Sequence, residues 1–347
     1  MKRFVCLLLS LLLLFALPSC TIDSAGNAES GEKIASYRGG DPLPLHAACS
    51  DGLWFLLLGR YGEGGGVLAV GSQPDAVTAR YTLPDDAVVL TFSVEGSLCL
   101  MLTRSGEGDS TSARYALTLY DAASDRTFPL GDLGSRRTGA SLLSGRAIWI
   151  DKDATRILCF DPSRPENGEV ELVSSNRIKA LGHAGEDLIW CENGNDGQKL
   201  CRLLPDGTVQ THALPSAVAL VHDITYDPTC GMYALYYTDS VWGDRCIGSW
   251  FPTATSIPEL FHFDEGYEPT EHPICQKNGV VYWIVSAVIP GLNRPHYRIV
   301  AWDVENGKPS EYMRAFSFTV CGDRLTYLTL DHNRRTDQIS LWQKHPI

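Results

Sequence analysis

The chain has 347 residues, with 41 acidic against 29 basic side chains and a formal net charge of -12. That acid excess repels phosphate backbones, so no nucleic acid is expected as a partner. No Gly-x-Ser-x-Gly elbow, Walker loop or dinucleotide fingerprint occurs, which removes the serine-hydrolase, P-loop and Rossmann signatures.

Residues 1–20 open with Lys2 and Arg3, continue through an apolar run from Phe4 to Ala16, and leave through Leu17-Pro18-Ser19-Cys20. This is the layout of an export signal. Its apolar run, about 13 residues, falls short of the ~20 that span a bilayer as a helix. The exit resembles the lipobox of bacterial lipoproteins. The resemblance implies a signal peptide cut before Cys20, with Cys20 acylated as the lipid anchor and the chain held at the extracytoplasmic face of a cell membrane. Acyl chains contribute about 0.8 kcal/mol per buried methylene, and two or more hold a protein firmly. Residues 21–32 (TIDSAGNAESGE) lack any large apolar side chain except Ile22 and read as a flexible polar tether.

From 33 to 347 no charged or Ser-rich linker divides the chain, although its length exceeds one ordinary core. A repeat resolves this. Cys49, Val94, Leu143, His183, Cys230, Cys275 and Cys321 recur about every 40 to 50 residues. Turn residues and a short apolar strand follow, as in DGLWFLL (51–57), SGRAIWI (144–150), GEDLIWC (185–191), NGVVYWI (278–284) and GDRLTYL (322–328). A second series (GVLAV, LTLYD, ILCFD, LCRLL, IVAWD, ISLWQ) marks the next strand, and PENG, PDG and ENG turns lead into a further one. Four short strands per unit, without a helical period, predict an all-β, seven-bladed β-propeller of four-stranded antiparallel blades. A two-layer sandwich would need no fixed period. The last unit ends one strand short, and KIASYR (33–38) is expected to supply that strand and close the ring.

On this blade pattern, with Trp302-Asp303 followed by Glu305-Asn306-Gly307, residues 33–347 resemble the superfamily of TolB-like, quinoprotein-like and WD-repeat propellers found among bacterial lipoproteins. The resemblance implies a fold and no particular activity.

Candidate chemistry is sparse. Cys49, Cys230, Cys275 and Cys321 share one repeat slot with His183, but Val94 and Leu143 hold the same slot elsewhere, so it reads as small and apolar and no metal is expected there. Cys191 and Cys201 flank one hairpin and could face each other across it; nine cysteines lie beyond Cys20, an odd number for pairing. Loop acids such as Asp151, Asp153, Asp161, Asp239 and Asp244 read as solvated turn residues. Trp54, Trp149, Trp190, Trp283 and Tyr327 belong to core strands, whereas Tyr61 and Trp242 sit in polar, Gly-containing loops.

The loops joining second to third strands would gather at one mouth of the axial channel. They offer Tyr61, Trp242, Arg294, His296, His332 and Arg334 as candidate ligand-binding residues. The expected function is a non-catalytic ligand-binding or scaffolding propeller at the cell envelope, without cofactor, taking an envelope protein, a peptide or a glycan. The alternative is an envelope propeller enzyme such as a glycosidase or lyase, using loop acids with His296 or His332.

Overall fold

The computed structural model describes residues 31–345 apart from 39–41, 61–62, 107–111, 135–138, 176, 185, 195–196, 264–266, 270–273, 288–295 and 334–335. Strand β1 (Glu32–Arg38) precedes seven sheets. Blade 1 is β2 (Leu43–Ser50), β3 (Leu53–Gly59), β4 (Gly66–Gly71) and β5 (Thr78–Leu83). Blade 2 is β6 (Val88–Glu95), β7 (Leu98–Ser105), β8 (Arg114–Asp121) and β9 (Arg126–Gly134). Blade 3 is β10 (Ala140–Leu143), β11 (Arg146–Ile150), β12 (Arg156–Phe160) and β13 (Glu169–Ser174). Blade 4 is β14 (Ile178–Ala184), β15 (Asp187–Gly194), β16 (Gly197–Leu203) and β17 (Val209–Ala213). Blade 5 is β18 (Val218–Asp227), β19 (Met232–Asp239), β20 (Arg245–Trp250) and β21 (Glu259–His262). In blade 6 the inner strand is split into β22 (Tyr267–Pro269) and β23 (Cys275–Lys277), both paired with β24 (Val280–Ala287), and β25 (His296–Asp303) and β26 (Lys308–Met313) follow. Blade 7 is β27 (Ser317–Cys321), β28 (Arg324–Asn333) and β29 (Thr336–Lys344), with β1 as its fourth strand.

The molecule is therefore a seven-bladed propeller closed by its N-terminal strand. Second and third strands are apolar on both faces, as in β7 (LCLMLTRS, buried from Leu98 to Thr103), because each lies between two neighbouring blades. Fourth strands stand at the rim and are mostly exposed, as in β13 (EVELVS). The first hairpin turns of blades 1 and 6 need two positive φ angles, supplied by Asp51-Gly52 (49° and 76°) and Asn278-Gly279 (51° and 77°).

Apolar packing falls into seven clusters, one at each blade interface. The seventh joins Leu43, Ala47, Trp54 and Leu56 of blade 1 to Phe316, Leu328, Ile339 and Leu341 of blade 7, with Ile34, Ala35 and Tyr37 of β1 packed against it. The core roles expected of Trp54, Trp149, Trp190, Trp283 and Tyr327 hold, since all five are buried. Backbone N–H groups left at blade edges are taken by side chains of the preceding blade. Gly96 donates to the Ser50 hydroxyl at 2.9 Å, Ile274 to Asp223 at 2.7 Å, and Gly279 to Asp227 at 2.7 Å. Among the described residues no helix is long and apolar enough to cross a membrane.

Two expectations fail in the structure. Cys191 pairs with Leu200 and Cys201 with Trp190 across β15–β16, so the two thiols lie on opposite faces of the sheet and both are free. Asp151 is not a solvated turn acid. It is buried and accepts from the backbone of Thr155 and Arg156 and from the Arg156 guanidinium at 2.9 Å.

Closure by β1 predicts that deleting residues 32–38 lowers the melting temperature of the whole ring by at least about 5 °C, the scale of one to two kcal/mol in a chain this size. Thermal melts of that truncation beside one lacking only 21–30 check this, and equal melting temperatures would contradict it. A second expectation concerns Asp227, which joins blades 5 and 6. Burial raises its pKa, but the Thr229 hydroxyl, the N–H groups of Gly279 and Thr229, and nearby Lys277 more than offset it, so the net shift is downward. A carboxylate with a depressed folded pKa contributes stability that is complete above the unfolded value, about 3.9, and is lost as pH falls through the folded value. Asp227→Ala is therefore expected to remove about 1–3 kcal/mol near pH 7. Denaturant melts should show this difference shrinking as the solution is acidified below about pH 4.

Candidate metal centre

Blade 5 brings together a set of side chains that no regular strand pairing would. Cys246 stands opposite His262, and Ile247 opposite Phe261, in the β20–β21 pair. The register then slips by one residue, so that Gly248 faces Glu259 and Leu260 is the extra, bulged residue. Residues 259 and 262 would lie on opposite faces of an unbroken strand. The bulge turns both onto the face that carries Cys246, while Phe261, Leu260 and Ile247 pack on the other side toward blade 6. Gly248 makes room for this. A Cβ there would lie 2.4 Å from Ile257 Cγ2 and 3.0 Å from the Pro258 carbonyl.

The resulting geometry is that of a ligand set. Cys246 Sγ lies 3.7 Å from His262 Nδ1, and Glu259 Oε1 lies 3.6 Å from the same nitrogen. The ligating atoms of all three are within 4.8 Å of one another. A tetrahedral zinc with ordinary Zn–S and Zn–N lengths holds S and N about 3.6 Å apart and N and O about 3.4 Å apart. On the far side of the ring, Asp244 Oδ2 approaches His262 Nε2 at 3.4 Å. A carboxylate on the second ring nitrogen is the arrangement that orients a metal-binding imidazole and fixes its tautomer. Thiol, imidazole and carboxylate together suit a borderline-soft ion such as zinc. Three protein ligands leave one position for water or substrate, which is the pattern of catalytic rather than structural zinc.

Cys246 lies buried at the base of the cluster, while Glu259 and His262 open toward solvent. Burial, then the charge of Glu259, pushes the Cys246 thiol up to about 12. Without an ion it is a protonated thiol, and a metal must displace that proton to bind. Tyr237, which pairs with Cys246 across β19–β20, is raised by burial and by the Cys246, Glu259 and Asp239 charges.

The hairpin between β19 and β20 rises from this cluster. Asp239 accepts the N–H groups of Val241 and Trp242 and donates its own N–H to the Asp244 carbonyl, so the tip is a closed turn. Trp242 projects from it with 80% of its surface exposed. Of the other residues expected at the channel mouth, His296 and His332 have backbones in β25 and β28, paired with Ala287 and Asp337, rather than in free loops. Both stand at the end of the blade where the Trp242 hairpin also emerges. Tyr61, Arg294, Arg334 and Cys20 lie outside the described residues. Among the shared-slot cysteines, Cys230 is exposed in a turn, while Cys49, Cys275 and Cys321 are half-buried.

An axial cavity of about 960 Å³ runs between the inner strands of blades 2 to 7 and reaches Tyr236 and Arg245 of blade 5. Hydroxyls from several blades face it, including Ser93, Ser141, Thr225 and Thr319.

No protein-family model matches the chain, and no curated protein matches it. Solved structures do. The propeller domain of the trilobed protease from Pyrococcus furiosus aligns with TM-score 0.52 and 9% identity over 88% of this chain and 96% of that one. Its topology is described as an open velcro, whereas here β1 pairs with β29 and closes the ring. Virginiamycin B lyase from Staphylococcus aureus aligns with TM-score 0.50 and 15% identity over 90% and 99% of the two chains. A quinoprotein alcohol dehydrogenase-like protein from Bacteroides thetaiotaomicron aligns with TM-score 0.48 and 13% identity over 80% of this chain, which spans 65% of that protein's length. The likenesses to the trilobed-protease domain and the lyase, both under 25% identical, show a shared β-propeller fold and speak to fold alone.

The expectation of a purely non-catalytic binding or scaffolding propeller is corrected by this cluster, which is able to hold a metal ion. A buried thiol, an imidazole and a carboxylate at ligating distance form a chemical centre that packing does not require. Enzymes and domains of enzymes also share the fold, so the architecture itself does not argue for a scaffold.

Gly248→Ala is expected to lower stability by about 1–3 kcal/mol, since the new methyl group must push Ile257 and Pro258 away from the bulge. Trp242→Ala should change stability by less than about 0.5 kcal/mol. Denaturant melts of the two variants test this, and equal destabilisation would mean that the hairpin tip is part of the core.

Proposed function

We propose that this chain is a metal-dependent enzyme of hydrolase or lyase type that works at the cell envelope, its ion held by Cys246, Glu259 and His262. The observation that carries the reading is the ligand geometry of these three residues, with an Asp244 carboxylate oxygen 3.4 Å from the second nitrogen of His262. An ion in an open three-ligand site supplies Lewis-acid polarisation of a substrate oxygen and lowers the pKa of bound water. The protein's own part is to fix the imidazole through Asp244, to keep the thiolate sheltered at the base, and to leave the outer side of the cluster accessible. Trp242, exposed on the adjoining hairpin, offers an aromatic face to a sugar ring or a peptide side chain, the substrate classes that such a rim suits. Placement at the envelope rests on the signal-like residues 1–20 and on Cys20 as the acylated anchor.

Metal content and turnover together test the proposal. Zinc-loaded protein is expected to hold one ion per chain by elemental analysis, and Cys246→Ser and His262→Ala are each expected to lose it. Hydrolysis or elimination measured against a panel of envelope glycans and peptides should stop on chelation and return with zinc. An ion content unaffected by both substitutions, or turnover indifferent to chelation, would overturn it. Detergent partition checks the anchor separately: Cys20→Ala should move the protein from the membrane to the soluble fraction.

A further inference from the structure

The axial cavity carries charge that the metal centre does not use. Its two facing carboxylates already hold backbone donors. Asp223 takes the N–H groups of Ile224 at 2.9 Å and Ile274 at 2.7 Å, and Asp227 takes those of Thr229 at 2.9 Å and Gly279 at 2.7 Å. Lys277, which also lines the cavity, lies close enough to Asp227 to lower its pKa, so those two charges offset each other.

Asp223 keeps its negative charge, and the two further cations that line the cavity outnumber it. Lys179, the second residue of β14, lines the cavity and makes no ion pair among the described residues. Arg245, the first residue of β20, lines it too. Its guanidinium reaches the Tyr236 hydroxyl at 3.4 Å and no carboxylate among the described residues. Both cations belong to the end of the ring at which inner strands begin and the Trp242 hairpin emerges. His222, hydrogen-bonded to the Thr238 hydroxyl at 2.7 Å, stands on the same side of blade 5.

In a chain with 41 acidic and 29 basic residues, cations have carboxylates in surplus to pair with. Lys179, half-buried, and Arg245, exposed to solvent, line the cavity without one and outnumber the Asp223 carboxylate, which leaves a modest positive potential there. Guanidinium and ammonium groups are the usual receptors for carboxylate and phosphate oxygens. The hydroxyls of Ser93, Thr225 and Thr319 add neutral hydrogen-bonding partners around the same space.

We propose that the axial cavity is a binding site for a small, hydroxylated organic anion, its carboxylate or phosphate held by Lys179 and Arg245. This site is separate from the metal centre. Arg245 and Cys246 are neighbours in β20 and project from opposite faces of blade 5, one toward the cavity and the other toward blade 4.

Calorimetric titration of the full chain in detergent, at low ionic strength, tests the proposal with glucuronate, glucose 6-phosphate and neutral glucose as probes. Saturable one-site binding of at least one charged sugar is expected, with no binding of glucose, and the two charged arms distinguish a carboxylate from a phosphate ligand. Lys179→Gln and Arg245→Gln should each weaken that binding by about tenfold or more, and Arg245→Lys should recover part of it. Cys246→Ser should leave it unchanged, which separates failure here from failure of the metal site. Absence of saturable binding by both charged sugars, equal binding of glucose, or affinity indifferent to the two glutamine substitutions with melting temperature preserved would each overturn the proposal.

Discussion

Everything in this molecule depends on blades burying one another in a closed circle. No blade has a core of its own: its middle strands are apolar on both faces and are satisfied only by the strands on either side, as the seven interface clusters show. An open ring would leave one blade face and one strand edge exposed to water. Pairing of β1 with β29, from Glu32–Gln343 to Arg38–Gln338, covers the open edge of β29 and completes the packing of blade 7 against blade 1, with β1 as the rim strand. It also ties residues 32–38 to the last blade, so this strand is as much a part of the fold as any core strand.

A rigid ring of this kind allows local irregularity at the rim. Blade 5 uses that freedom. Its outermost pair contains a bulge at Leu260 that would be costly in a central strand, where both faces must match a neighbour, but is tolerated at an edge. The irregularity sets Glu259 and His262 on the same side as Cys246, with Asp244 arriving from the preceding hairpin. The centre is thus held by well-packed strands on its inner side and exposed on its outer side. The same strand, β20, sends its neighbouring side chains to the two sides of the blade, which lets the metal cluster and the axial cavity coexist within one blade.

Much of the fold was legible because propeller blades are repetitive and their turns are chemically specific. Asp51-Gly52 and Asn278-Gly279 announce tight hairpins, and the aromatic strands after them carry the core tryptophans Trp54 and Trp283. The missing strand at the end of the chain pointed to closure by residues 33–38. The Cys246–Glu259–His262 cluster was not legible for a definite reason. Cys246, Glu259 and His262 are spread over 17 positions of the least regular unit, and their alignment depends on a one-residue slip that alternation rules do not register. Asp244 and Trp242 were singled out as loop residues, but the direction of the thiol two positions after Asp244 is set by pairing and not by composition. The disulfide considered between Cys191 and Cys201 failed for a related reason, since a hairpin register offset by one residue sends two side chains to opposite faces.

X-ray absorption at the zinc edge of the zinc-loaded protein would show whether blade 5 holds an ion through Cys246, Glu259 and His262. One sulfur is expected at about 2.3 Å together with nitrogen and oxygen neighbours near about 2.0–2.2 Å, with loss of the sulfur shell in Cys246→Ser. A zinc environment with no sulfur, or one identical in wild type and Cys246→Ser, would contradict it.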